Sequence, residues 1–265
     1  MNQETSREDK SSFFRNDRKL VCSMFIFYGL CILGLVAATT WGLDRRSKAI
    51  SANATATAFA ATATTIAHIT EQAQYNFVDP FDNNREQWET DSINDEYMSG
   101  SVSIKQGVYV WEIQKVKQTF IRWEDFPAAR WVGDFDVYVD SRIKAADGTT
   151  GGACTGFVFR ESPSNWEGGA YVFSVCNSYF YVDYYGNGKW EDISGSIRSR
   201  AILNSDWNRL EISARGNRFT FLINHEVVYE MTDDRLPRGG LALFADVNEK
   251  KPVTIWFDNF GFQIR

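Results

Sequence analysis

The chain has 265 residues, of which 44% are hydrophobic, 15% aromatic and 23% charged, and its formal net charge is −6. This composition excludes a disordered or collagen-like protein, and four cysteines are too few to replace a hydrophobic core. The excess of acids lies in residues 75–265. A nucleic acid is therefore excluded as a partner of that part, because phosphate contacts need a basic surface.

Residues 20–43 form an uncharged, apolar run with basic residues on both sides. As an α-helix the run is about 36 Å long, enough to span a hydrocarbon core of about 30 Å. More Lys and Arg precede the run than follow it, which favours a cytoplasmic N-terminus. The sequence therefore predicts a cytoplasmic tail over 1–19, a signal-anchor helix over 20–43 and a C-terminal part outside the plasma membrane. A cleaved signal peptide is the alternative, although its apolar region would be only about 7–15 residues long.

Residues 44–74 are predicted to be a stalk or linker, and within them 52–67 are almost entirely Ala and Thr. Alanine favours a helix and threonine mildly disfavours it, so a helix that continues the membrane span and a flexible spacer both fit. In either form the segment would hold the following domain away from the membrane.

From residue 75 onward, short runs of alternating apolar and polar residues are separated by Gly and Asn. The candidate strands are 107–113, 134–143, 154–160, 170–176, 179–185, 208–214, 218–224, 226–231, 240–245 and 253–264. No helical pattern of 10–15 residues separates them. The pattern predicts an all-β, antiparallel two-sheet sandwich over 75–265.

Several short motifs carry a resemblance to a known fold family. They are 77–81 (FVDPF), Trp88, 156–160 (GFVFR), 207–212 (WNRLEI), 219–224 (FTFLIN), 239–243 (GGLAL) and 257–260 (FDNF). Together they resemble the concanavalin A-like jelly roll, and are similar to its laminin-G-like and 3-keto-disaccharide-hydrolase-like branches. The resemblance implies a two-sheet sandwich that often binds glycans on its concave face.

Hairpin arithmetic identifies a candidate binding face. Turns near residues 165, 177–178 and 187–188 set three consecutive strands in register, and side chains alternate between the two faces of a sheet. One face is apolar and predicted to be core. The other presents the candidate ligand-binding residues Arg160, Ser174, Tyr181, Asp183, Tyr185 and Trp190. Aromatic rings among hydroxyl, carboxylate and guanidinium groups suit a sugar, whereas a solvated sheet face with a local ion pair is the simpler alternative.

The same register places Cys154 directly opposite Cys176 across a hairpin, where a cross-strand disulfide fits geometrically. An extracytoplasmic location would favour the bond, and a pair of buried thiols is the alternative. Zinc is a weak interpretation, because the chain has only two histidines and these cysteines lack ligand spacing.

No catalytic residue is predicted. The chain has no HExxH, GxSxG or Walker A motif, and it lacks the ExDxxE pattern that jelly-roll glycosidases of this resemblance use. Asp183 and Asp192 would be cross-strand neighbours, which leaves a carboxylate pair open to an enzymatic role.

No cofactor is predicted, but the acidic side chains leave calcium binding as an alternative. Asp134, Asp136 and Asp140 alternate along one predicted strand, and Asp147 lies in the loop that follows. Carboxylate oxygens are suitable calcium ligands, whereas acids on the wet side of a strand are the simpler interpretation.

These observations favour a membrane-anchored, extracytoplasmic binding module, with carbohydrate as the preferred partner. The alternatives are a glycoside-acting enzyme and a structural module of the cell surface that binds another protein. In the favoured interpretation the sugar ring stacks on Trp190 and Tyr185, and Arg160, Ser174 and Asp183 contact its hydroxyls.

Overall fold

The computed structural model describes residues 75–117, 120–126, 129–145, 152–163, 168–248 and 251–265. The predicted tail, transmembrane helix and stalk lie outside these residues. Within the described ranges, no helix is both long enough and apolar enough to cross a membrane.

Sixteen β-strands account for most of the described residues. They are β1 (Phe77–Asp79), β2 (Ser92–Asn94), β3 (Met98–Lys105), β4 (Val108–Val116), β5 (Phe120–Asp125), β6 (Phe135–Ala145), β7 (Ala153–Glu161), β8 (Ala170–Cys176), β9 (Tyr179–Gly186), β10 (Lys189–Asp192), β11 (Ile197–Arg198), β12 (Asn208–Arg215), β13 (Arg218–Ile223), β14 (Glu226–Thr232), β15 (Gly240–Val247) and β16 (Val253–Ile264). Every candidate strand from the sequence corresponds to one of them, with ends that differ by up to three residues.

The strands form two antiparallel sheets. The nine-stranded sheet has the order β14-β13-β12-β6-β16-β4-β3-β2, with β1 paired to β16. The seven-stranded sheet has the order β10-β9-β8-β7-β15-β5, with β11 paired to β9. In the second sheet β15 lies between β7 and β5, which precede it by many residues in the chain. Sequence proximity therefore predicts the meander β7-β8-β9-β10, whereas the neighbours of β15 follow only from the folded chain.

The hydrophobic core lies between the two sheets. The inner face of the seven-stranded sheet contributes Phe159 and Phe173, which are fully buried. The ring centroid of Phe159 lies 5.5 Å from that of Phe219 in the nine-stranded sheet. The ring centroid of Phe173 lies 5.0 Å from that of Phe221 in the same sheet. Aromatic pairs at this distance add about 0.5–1.5 kcal/mol each to the gain from burial alone. The contacts fix which face of the seven-stranded sheet is left free.

The observed register of the meander is the one that the hairpin turns predict. Val172 pairs with Val158 on one side and with Asp183 on the other. Ser174 likewise pairs with Tyr181, and Asp183 with Asp192 of β10. Because paired residues point to the same side of a sheet, this register places a row of acidic and hydroxyl groups on the outer side of the seven-stranded sheet.

Candidate functional site

The side of the seven-stranded sheet that faces away from the core is called here the open face. It has its own small apolar cluster, separate from the main core, which consists of Val158, Ala170, Val172, Ala242 and Phe244. A cavity of about 500 Å³ lies on this face. Its apolar lining includes Ile121, Val172 and Phe244, and its polar lining includes Ser174, Tyr181, Asp183, Asp246 and Asn248, with Trp190 beside them.

Gly156 allows β7 and β8 to approach each other closely beside this cavity. It pairs with Phe244 on one side and with Ser174 on the other, and both of these residues line the cavity. A Cβ atom at this position would lie 1.9 Å from the carbonyl oxygen of Phe173. A larger residue would therefore force the two strands apart, because protein interiors have no slack of that size.

Trp190 provides an aromatic surface at the edge of the cavity. Its side chain is 45% exposed, and its ring centroid lies 5.0 Å from that of Tyr185, its cross-strand partner. Tyr185 does not itself line the cavity. Its ring packs against Trp190 and so restricts the tryptophan side chain. An exposed ring that is fixed by a second ring can stack on a flat apolar surface at a small entropic cost.

Three predicted polar residues reach the cavity. Ser174 is only 5% exposed, and its hydroxyl has no hydrogen-bond partner among the described residues. The Tyr181 hydroxyl accepts a hydrogen bond from Ser196 Oγ at 3.2 Å. Asp183 has no hydrogen-bond or ion-pair partner in the same described ranges. Burial, followed by the nearby charges of Asp192 and Asp246, raises the pKa of Asp183 to about 6.

Asp246 and Asn248 belong to the cavity but were not among the sequence candidates. Asn248 Nδ2 donates hydrogen bonds to both carboxylate oxygens of Asp246, at 3.2 and 3.3 Å. Burial raises the pKa of Asp246 to about 6. The predicted strand 240–245 continues through Asp246, and this continuation is the only sequence signal that points to Asp246. It could not place this strand beside β7, because some 80 residues separate the two in the chain.

Cys154 and Cys176 are joined by a disulfide bond, the pair that the hairpin register predicts. Their Cα atoms are 4.3 Å apart, and both residues line the cavity. The bond therefore links β7 to β8 at the edge of the site and fixes the spacing of the two strands.

The structure corrects the prediction for Arg160. Its side chain is fully buried on the core side, where the guanidinium lies 4.6 Å from the ring centroid of Phe219. Arg160 Nη1 donates to the carbonyl of Leu236 at 2.8 Å, and Nη2 to that of Gly133 at 2.9 Å. The cause is local: Arg160 has a φ of 51°, and the β7–β15 register shifts at this point. Such a bulge reverses the alternation of side chains, whereas the predicted register assumes that the alternation along 154–160 is unbroken.

A second, smaller cavity of about 320 Å³ is lined by acidic residues that the sequence did not single out. Asp125 and Glu161 lie there, together with Arg130. Burial and the charge of Asp125 raise the pKa of Glu161 to about 7, and burial raises the pKa of Asp125. Because the bulge reverses the direction of alternation, Glu161 takes a position near the one expected for Arg160.

The aspartates considered for calcium are paired with arginines. Asp140 accepts hydrogen bonds from Arg209 at 2.7 and 3.1 Å, and Asp136 accepts them from Arg215 at 2.7 and 2.8 Å. Asp147 lies outside the described residues. In the ranges that the structure describes, no group of three or more His, Cys, Asp and Glu could hold a metal ion. Calcium binding here stays an untested prediction.

No family model and no curated protein matches this chain. Solved structures do match it. The catalytic domain of an endo-1,3-β-glucanase (laminarinase) from Thermotoga petrophila has a TM-score of 0.52 at 10% identity, over 72% of this chain and 98% of that one. The described strands of this chain therefore form a two-sheet jelly roll.

Two further solved structures share this jelly roll. A β-glucanase of Bacillus licheniformis has a TM-score of 0.50 at 12% identity, over 71% of this chain and 98% of that one. A structure from work on endo-acting O-glycanases, with which human gut microbiota initiate mucin breakdown, has a TM-score of 0.53 at 11% identity. It covers 72% of this chain and 99% of that one. At these identities the likeness establishes the jelly roll, and its placement in the laminin-G-like or 3-keto-disaccharide-hydrolase-like branch stays a prediction.

Proposed function

We propose that the chain is a membrane-anchored, extracytoplasmic binding module whose jelly roll binds carbohydrate on the open face. One observation carries the proposal: Trp190, exposed and supported by Tyr185, lies at a cavity into which the unpartnered Ser174 and Asp183 project. Contact surfaces of this kind combine a ring for stacking with polar groups that need partners.

The chemistry of a sugar matches these groups one by one. The C–H face of a pyranose packs on the Trp190 ring, while its hydroxyls donate to the Asp183 carboxylate and exchange hydrogen bonds with Ser174 Oγ. A typical hydrogen bond of this kind contributes about 0.5–1.5 kcal/mol net. Tyr181 adds a further hydroxyl on the same wall.

The similar structures support a saccharide as the ligand, since the two glucanases and the O-glycanase work are all concerned with glycans. The disulfide between Cys154 and Cys176 supports an extracytoplasmic location, because such bonds persist in oxidising compartments. The predicted anchor at 20–43 would hold the domain at the outer surface of the plasma membrane.

A glycan array tests the proposal directly. The full chain is solubilised in a zwitterionic detergent without a sugar headgroup, so that the detergent does not compete. We expect Trp190→Ala to abolish glycan binding. Trp131→Ala is the matched control, because Trp131 is 54% exposed and does not line the cavity. A blank array from a folded chain, with a protein partner copurified, would replace carbohydrate by a surface protein as the ligand.

A second candidate function is a glycoside-acting enzyme, and the paired acids Glu161 and Asp125 favour it. Glu161, with a pKa of about 7, holds a proton near neutral pH, and general acids of glycosidases require that property. The measurement is the release of new reducing ends from any oligosaccharide that the chain binds. Release that Glu161→Gln abolishes would establish the enzyme, and binding without release would leave the module as a binder.

A further inference from the structure

Among the described residues, the acidic groups that line the larger cavity have no cation beside them in the lining. Asp183 and Asp246 line the larger cavity, while Asp192 pairs with Asp183 across β9 and β10. No Lys, Arg or His is among the described residues that line this cavity. The contrast with the outer face of the nine-stranded sheet is sharp, since Asp136 and Asp140 there each contact an arginine.

These carboxylates are held close enough to repel one another. Residues directly opposite in an antiparallel pair have Cβ atoms about 4.5–5.5 Å apart, and like charges at that distance are destabilising. Asp192 accepts a hydrogen bond from the backbone amide of Gly195, which fixes its carboxylate beside Asp183. Both aspartates lie next to Trp190, two residues before Asp192 on the same side of β10.

A second observation indicates that this part of the face receives a ligand. Ser174, on the strand next to Asp183, is more than nine-tenths buried, yet its hydroxyl contacts no partner in the described ranges and lines the cavity. The Ser174 hydroxyl is therefore available to a group that enters the cavity, from an otherwise buried residue. The carboxylates of Asp183 and Asp246 and the Ser174 hydroxyl thus line one space of about 500 Å³, and Asp192 lies beside it as the cross-strand partner of Asp183.

We infer that the ligand is an amino sugar with a free, protonated amine, which the Asp183–Asp192 pair binds while Trp190 stacks on the ring. The inference rests on the proposed function and specifies its ligand class. A protonated amine donates up to three hydrogen bonds and carries a positive charge, which no described lining residue supplies. Because the amine would lie close to the Trp190 ring, a cation–π attraction would add to these hydrogen bonds. The same carboxylates would repel an anionic sugar.

Calorimetry with three oligosaccharides of equal length tests the inference. The probes are a glucosamine tetrasaccharide, its fully N-acetylated counterpart and a galacturonate tetrasaccharide, each titrated into the full chain in zwitterionic detergent. We expect the free-amine probe to bind about tenfold more tightly than the acetylated one, as charge-assisted hydrogen bonds exceed neutral ones. We expect the galacturonate probe not to bind, and the tenfold preference to shrink as salt is raised.

Two variants and a control locate the effect. Asp183→Asn and, separately, Asp192→Asn should each abolish the preference for the free amine. Asp183→Asn should also weaken binding of the acetylated probe, because Asp183 accepts a hydrogen bond from a sugar hydroxyl in the proposed site. Asp82→Asn removes an equal charge from a loop outside the cavity and should leave the preference intact. Thermal melts of all three variants establish that they are folded.

The possible results distinguish failure of the amine inference from failure of carbohydrate binding. Equal binding of the free-amine and acetylated probes, unchanged by Asp183→Asn, would overturn the amine inference and leave carbohydrate binding in place. Failure of all three probes, together with a blank glycan array, would overturn the proposed function itself. Binding of a lysine-rich peptide in place of the sugars would also overturn both, because the negative charge would then serve a protein partner.

Discussion

The disulfide between Cys154 and Cys176 gives a prediction whose magnitude follows from the topology. The two cysteines are 22 residues apart in the chain, so the bond closes a loop of that length. In the chain-entropy treatment, closing such a loop lowers the entropy of the unfolded state enough to stabilise the fold by about 3 kcal/mol. We therefore expect the variant Cys154→Ala/Cys176→Ala to lose about 3 kcal/mol in its free energy of unfolding.

The expected shift is large enough to measure without ambiguity. For a domain of this size, each kcal/mol corresponds to about 2–4 °C in Tm, so the variant should melt roughly 10 °C lower. The two strands remain hydrogen-bonded without the bridge, so the fold should survive. The spacing of β7 and β8 at the cavity should loosen, and glycan affinity should fall along with stability.

Urea denaturation, followed by tryptophan fluorescence with and without reductant, measures the effect. Reductant should lower the midpoint for the natural chain and have no effect on the double variant. If the two chains unfold at the same urea concentration without reductant, the bond is absent or contributes nothing, and the reasoning from loop closure is refuted. An effect of reductant on the double variant would instead point to Cys22 or Cys31, which lie outside the described residues.

Three more predictions concern the open face and its surroundings. Arg160→Met should cost about 3 kcal/mol in chemical denaturation, because the buried Leu236 carbonyl and the part-buried Gly133 carbonyl lose a charged donor. Glycan binding should be unchanged, and a stable variant that no longer binds glycan would show that Arg160 belongs to the site. The pKa of Asp183 is raised to about 6 in the folded chain, so the folded state holds the proton more tightly and the wild type should lose stability as pH rises from about 4 to 7. Asp183→Asn should be more stable than the wild type at pH 7 and equal to it near pH 4, and a parallel pair of stability–pH curves would contradict the assignment. Gly156→Ala should destabilise the domain by about 3 kcal/mol because its Cβ would overlap with the Phe173 carbonyl. Gly133→Ala, whose Cβ would lie 3.7 Å from its nearest neighbour, the Pro237 carbonyl oxygen, should be tolerated when both variants are compared by thermal melting.

The strands and the meander were predictable because their signals are local. Alternation of apolar and polar residues identifies each strand, and short turns such as Asn187-Gly188 fix the register of the strand that follows. From these two rules alone, the pairs Val172–Asp183, Ser174–Tyr181 and Tyr185–Trp190 follow in the correct register. The cysteine pair follows from the same arithmetic.

The prediction for Arg160 failed because it depended on a contact that is remote in sequence. The bulge arises where β7 meets β15, and a Cβ on Gly239 would lie 2.3 Å from the carbonyl carbon of Arg160. The close approach of these backbones bends β7 and changes the side on which the next residues lie. Nothing within residues 154–160 indicates it.

The sequence by itself determined the class of fold, the meander with its register, the cysteine pair and the aromatic–acidic character of one face. These properties depend on alternation and on turns, which act between residues close in the chain. The tertiary structure decided which strands flank the meander, and so added Asp246, Asn248 and Phe244 to the cavity and moved Arg160 into the core. The physical reason is that pairing between distant strands is set by the packing of two whole sheets, to which each residue contributes only a small part of the free energy.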